Sequence, residues 1–429
     1  MRRLVAAGAI LAAFLTTPGG AVAASPSPTP APIPTAGPPL PGTATDSARA
    51  TAALSYLLAA QSPDGSIDKS LGETADYVIG AADAGYDPGT LAGCTAGGTG
   101  ALAFIATASD ATTTDAAKTG KTILAVVAAG LDPAAFSGRN LVARLAALYH
   151  ADTGAYGDGS TFAQAFAILA VDASGGTVPP AATAKLLALQ DDDGSWSYGK
   201  APVAAGGGDT NSTAMALMAL AAAGVHSADS TGFAYLATQQ LADGGFPYQN
   251  STTYGPPTSD PDSDSVVLQA LVAAGQDPTS SEWSKGSADV LTSLRASQII
   301  DGGFFFPGSG ESRFATSQVP AALAGVPYGR ETKPKTGIAV PPTACPNYVP
   351  VASAAASVSP GSSSGAVSSA AASSVAAQIG ATAAATGDSS NSNGRSGGLD
   401  PLVLMSAAVV LLMLTGGGIW FYRARSRPR

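Results

Sequence analysis

The strongest constraint on this chain is a short punctuation that recurs along it. Its fullest copy is Gln190-Asp191-Asp192-Asp193-Gly194-Ser195-Trp196. Related stretches stand upstream at Gln61 to Ile67 and, more degenerate, at Tyr149 to Tyr156, and downstream at Gln239 to Phe246 and Gln298 to Phe304. Asp-Gly supplies a turn with a residue in the left-handed region, and the large apolar residue that follows folds back over the preceding helix end. Each copy therefore closes one helix and opens the next, and a chain punctuated in this way is a helical repeat.

The helical segments between the joints alternate in two kinds. Ile123 to Ala129, Ala214 to Ala223 and Val266 to Ala274 are apolar all round, and a helix without a polar face must be buried on every side. Leu141 to Tyr149, Ala182 to Gln190 and Ala288 to Gln298 keep a polar stripe, so they belong to an outer layer. The inner kind ends in Gly followed by Asp-Pro at Gly85, Gly130 and Gly275, a stop that proline makes final. Six hairpins can be counted this way, the second without a recognisable joint, and no stretch sustains a period of two. The expected fold is all-α, a double-layered α/α toroid of about six helical hairpins over 46–348, with the inner ring around a central cavity.

The ends of the chain read differently. Met1-Arg2-Arg3, an apolar run from Leu4 to Leu15 and Ala21-Val22-Ala23 have the form of a signal peptide over 1–23. Residues 24–45 are a Pro/Ser/Thr-rich spacer, and 349–400 a Ser/Ala/Gly-rich tract with the composition of a disordered stalk. Residues 401–422 are expected to form one transmembrane helix, because Leu402 to Tyr422 carries no charge and is long enough to cross a bilayer. The arginines at 423, 425, 427 and 429 then fix the tail as cytoplasmic and the toroid as extracytoplasmic.

All 30 acidic residues but only 15 of the 21 basic ones lie between the two terminal segments, so the exported part is acidic by 15 charges. Such a surface excludes nucleic acid as a partner. The two cysteines, Cys94 and Cys345, bracket the folded region in a compartment that permits disulfides, and they are expected to pair.

The repeated Gln-x-x-Asp-Gly-Ser-Trp resembles the prenyltransferase and squalene-oxidase repeat superfamily, and matches it in full at Gln190 to Trp196. The resemblance implies the α/α toroid shared by triterpene cyclases, protein prenyltransferase β subunits, complement-like thioester domains and cobalamin carriers. It implies a structural role for the motif itself. The branch-specific chemistry is missing. Two distant cysteines, with His150 and His226 near helix ends, do not make the zinc set of the prenyltransferases. Cys94-Thr95-Ala96-Gly97 is not a thioester motif. The acid motif of the cyclases has its analogue at Asp209-Thr210-Asn211-Ser212, where Asn211 and Ser212 replace the carboxyls that would sharpen a strong acid. A second cluster, Asp260-Pro261-Asp262-Ser263-Asp264, stands at the next inner-helix start in another register. Its ordinary role is capping.

The expectation is thus a membrane-tethered, non-catalytic surface protein that requires no cofactor and no metal. Its toroid would bind a small apolar or amphipathic ligand, cobalamin-like or terpenoid, or a partner protein. An extracytoplasmic terpenoid cyclase or prenyltransferase-like enzyme is the alternative, and a structural spacer a third. The candidate binding residues are Asp209, Asn211, Asp262 and Asp264 at one mouth of the barrel, with Tyr198, Tyr248 and Tyr254 in joint loops beside them. Phe246 and Phe304 are expected to add flat apolar surface there.

Overall fold

The computed structural model describes residues 44–345, apart from 95–97, 113, 205, 253–255, 309, 332–335 and 344. The expected signal peptide, stalk, transmembrane segment and basic tail lie outside the described residues, and among those described no helix is long and apolar enough to cross a membrane. Among the described residues twelve α-helices alternate between two layers. The outer set is α1 (Asp46–Ala60), α3 (Ala101–Ala108), α5 (Leu141–Ala147), α7 (Pro180–Leu187), α9 (Asp229–Gln239) and α11 (Val290–Ser297). The inner set is α2 (Leu71–Asp83), α4 (Ala116–Ala128), α6 (Thr161–Ala173), α8 (Thr210–Ala222), α10 (Pro261–Ala273) and α12 (Arg313–Leu323). Each inner helix packs on the next, and α12 returns onto α2, closing the ring.

Sequence chemistry explains the layering. Every residue of α8 from Thr210 to Leu220 and of α10 from Pro261 to Leu271 is buried, whereas α5 buries only Leu141 and Leu145, one turn apart. All six inner helices begin on a side chain that accepts a backbone N–H: Ser70, Asp115, Ser160, Asp209, Asp260 and Ser312. All six end on a left-handed glycine, at 85, 130, 175, 224, 275 and 325. Small residues set the spacing within the ring. A Cβ on Gly120 would stand 2.6 Å from the Phe166 carbonyl oxygen, and one on Gly80 2.9 Å from Pro320.

The joints are staples. In four of them a glutamine Nε2 donates to the carbonyl of its own Asp-Gly turn and to a group at or near the next outer helix. Gln61 reaches Gly65 and Leu91, Gln190 reaches Gly194 and Thr231, Gln240 reaches Gly244 and Trp283, and Gln298 reaches Gly302 and Arg49. The last pair ties the end of the repeat to its beginning. The degenerate third joint has His150 in the glutamine position and draws its carboxamide from the inner helix instead. Gln164 on α6 donates to the carbonyls of Gly154 and Ala182, both at 3.1 Å, and accepts from the Tyr156 N–H.

The large residue of each motif is core rather than surface. Trp196, Phe246 and Phe304 are fully buried, so the apolar surface expected of Phe246 and Phe304 is spent inside the joints. Among the described residues strands are confined to three two-stranded ribbons, of which Phe304–Phe306 with Gly310–Ser312 is the longest.

Beyond α12 the chain turns back. Tyr328 is buried, and residues 336–343 with Cys345 then form a strap along the first hairpin. Asp87 N–H donates to the Ile338 carbonyl at 2.7 Å, Ser55 Oγ donates to the Pro341 carbonyl at 2.7 Å, and a disulfide joins Cys345 to Cys94.

Candidate functional site

The inner helices present one stripe each to the axis of the ring, and residues at the second, sixth and ninth positions after each N-cap lie on it. The stripe opposite carries the fourth position, which meets the joints. There Thr74, Thr213 and Thr316 accept the backbone N–H of Ile67, Trp196 and Phe304, each at 2.9 Å.

Asp264 belongs to this outward set. Its Oδ1 accepts the Phe246 N–H at 2.6 Å and the residue is fully buried, so it stands where three other joints use threonine and the third joint uses Gln164. Its expected place on the rim of the mouth is therefore corrected: two residues beyond Asp262, the helical turn carries it to the opposite side of α10.

Asn211 and Asp262, the second residues after their caps on α8 and α10, do face each other. Asn211 Nδ2 donates to Asp262 Oδ2 at 2.8 Å, and Gln318 on α12 hydrogen-bonds the same carboxylate. Both residues are more than nine-tenths buried, and Asn211 Oδ1 has no partner among the described residues. Burial raises the Asp262 carboxyl above the ordinary range and the neighbouring Asp260 adds to it.

Asp209 caps α8 through Ser212 N–H at 2.7 Å and Ser212 Oγ at 2.8 Å, and hydrogen-bonds Tyr248. Burial pushes its carboxyl up to about 6 against those bonds. Asp260 repeats the arrangement with Ser263 on α10. Tyr198 packs on Phe162, the second residue after the α6 cap, with ring centroids 5.3 Å apart. The mouth thus brings together Asp209, Asn211, Asp262, Tyr198 and Tyr248, while Tyr254 lies outside the described residues.

Below the mouth stands a polar cluster that the sequence reading did not single out. Lys121 on α4 holds Asp76 on α2 through a 2.6 Å ion pair, and Tyr328 Oη donates to the other oxygen of Asp76, also at 2.6 Å. The Lys121 ammonium lies 5.5 Å from the Phe166 ring centroid and 5.9 Å from that of Tyr328, whose rings meet edge to face. Glu73 stands beside this pair, and burial, reinforced by Asp68 and Asp76, pushes its carboxyl up to about 8. Tyr328, Phe166, Lys121 and Asp76 thus meet inside the ring, where a central cavity was expected. The readable signal was a charge at the sixth position after the cap in two neighbouring inner helices, Asp76 on α2 and Lys121 on α4.

Among the described residues no group of histidine, cysteine and carboxylate side chains has the geometry of a metal site. His150 is exposed, and His226 pairs with Asp229 at 2.9 Å on the surface.

No protein-family model matches the chain, and no curated protein matches it. Among solved structures it is similar to a variant of the type II terpene cyclase MstE from Scytonema in complex with geranylgeranyl dihydroxybenzoate. That match has a TM-score of 0.44 and 15% identity, over 65% of this chain and 97% of that one. The apo form of the same cyclase gives 0.43 and 15%, over 65% and 97%. UGL with dGlcA-Glc-Rha-Glc gives 0.46 and 13%, over 67% and 98%. Likenesses at this level describe the course of a chain and say nothing about its chemistry.

Proposed function

We propose that this is a non-catalytic binding protein, exported and held at the membrane by its C-terminal apolar segment, whose toroid takes a ligand or a segment of a partner at the N-terminal mouth of the inner ring. The observation that carries the reading is the Asn211–Asp262 pair beneath the aromatic rim. It is a buried amide and carboxylate with one acceptor, Asn211 Oδ1, left unpaired among the described residues. Buried polar atoms are normally satisfied, and one that is not marks a place where a polar group of another molecule fits. A small amphipathic ligand, cobalamin-like or terpenoid, would set its apolar body against Tyr198, Phe162 and Tyr248 and its donor on Asn211.

The enzymatic alternative draws less support. Protonating an alkene requires a strong carboxylic acid, whereas burial weakens Asp262 as an acid and an amide stands at Asn211.

Native mass spectrometry of the full chain, released from its source membrane in mild detergent, tests the reading. A co-purifying mass should be lost from the Asn211→Leu, Asp262→Leu double variant while the melting curve stays cooperative. Equal occupancy in both proteins would place the site elsewhere, and turnover of a polyprenyl substrate would return the chain to the enzymes.

A further inference from the structure

A groove of about 320 Å³ opens between the C-terminal half of α9 and the loops that enter α8 and α10. It lies outside the mouth and shares none of Asn211, Asp262, Tyr198 and Tyr248 with it. Its volume is at the small end of ligand sites.

The walls are amides and hydroxyls. Gln239, Gln249 and Asn250 contribute carboxamides, Thr238 and Tyr235 hydroxyls, and Asp193 the single charge, with no lysine or arginine among the lining residues. These groups are pinned by the backbone. Gln249 Nε2 donates to the Gly208 carbonyl at 2.7 Å, and Tyr235 Oη donates to the same oxygen at 3.1 Å. Asn250 Nδ2 donates to the Thr238 carbonyl at 3.2 Å, and its N–H donates to Gln239 Oε1 at 2.8 Å. Asp193 accepts the Gly206 N–H at 2.8 Å and the Ser195 hydroxyl, which holds its carboxyl below the ordinary range despite partial burial.

The charges decide which ligands fit. Without a cation the groove offers nothing to a phosphate or a carboxylate, and the only anion is already covered by local donors, so a cationic ligand gains little. Gln239 is committed through both polar atoms, its Nε2 donating to Thr238 Oγ1 at 3.0 Å. Gln249 and Asn250 are held through the amide nitrogen, which turns a carbonyl oxygen and a second amide hydrogen of each to a guest and suits groups that donate and accept at once, as hydroxyls do. We propose that this groove binds the hydroxyl groups of a neutral saccharide, with Gln249 and Asn250 as the specifying residues and Tyr235 as the apolar floor.

The test is titration calorimetry on the full chain in a detergent without a sugar headgroup. The probes are maltose, cellobiose and diacetylchitobiose, with glucuronate and glucosamine as charged controls. At least one neutral disaccharide should bind in the millimolar range or tighter. Gln249→Ala and Asn250→Ala, both away from the core, should each weaken it about tenfold with unchanged circular dichroism. Binding by none of the three sugars overturns the proposal, as does binding that both substitutions leave intact or glucuronate binding as tightly.

Discussion

At the scale of single residues the protein holds carboxyl groups in places where ionisation is costly. Glu73 is the clearest case, with an ordinary value of 4.5 raised to about 8 by burial and by Asp68 and Asp76. A raised folded value means that the native state binds more protons than the unfolded chain between these limits. Its contribution is therefore fully present below about pH 4.5 and is lost as pH rises through 8. Glu73→Gln keeps the shape and removes the charge. Unfolding by denaturant should show it equal to the native protein near pH 5 and more stable by on the order of 2 kcal/mol near pH 9. A constant difference across that range would show that Glu73 does not titrate in the fold. This cluster was hidden from the sequence for a physical reason. Periodicity distinguishes an apolar helix from an amphipathic one, but Glu73, Asp76 and Lys121 acquire meaning only when the side of the helix that faces the axis is known.

At the scale of elements, the repeat was legible because its grammar is local. A cap, an apolar helix, a left-handed glycine and an Asp-Gly turn are each written within a few residues. The degenerate third joint was the exception, since its carboxamide comes from Gln164, a residue outside the motif and inside α6. Its two carbonyl contacts and its bond to Tyr156 N–H are buried, whereas the Gln190 contact with Thr231 is exposed. Gln164→Leu should accordingly cost about 2–3 kcal/mol and Gln190→Leu about 1 kcal/mol in equilibrium unfolding. Equal losses would mean that the two carboxamides are interchangeable clamps and that burial does not grade them. Asp264 carries the same lesson in reverse. It stands among three aspartates in sequence, yet helical rotation separates it from Asp262, and the Phe246 N–H claims it for the joint.

At the scale of the whole molecule, closure was expected from wholly apolar inner helices and is realised by α12 returning onto α2. The cluster inside the ring was not foreseeable, because Tyr328 follows the last helix and nothing local in Pro327-Tyr328-Gly329 signals that the ring will take it in. Tyr328→Ala should cost about 3–5 kcal/mol, as expected of a buried aromatic removed from a packed interior, and thermal unfolding of the full chain would reveal it. A shift near zero would make Tyr328 a visitor to the ring rather than part of its structure. The strap that follows has a geometric effect of its own. It carries the chain from Asp87, beyond the C-terminal end of α2, to Cys94, which lies against the Leu58 carbonyl near the C-terminal end of α1. That is the end at which the inner helices start, so the chain departs at the same end of the ring as the mouth. An anchor attached there acts like a leash tied to the rim of a cup. Tied short, it would press the opening against the lipid. On the proposed reading, the 52 residues of 349–400 are the length of leash between the rim and the bilayer, and that length sets how far the cup can turn its opening away from the lipid.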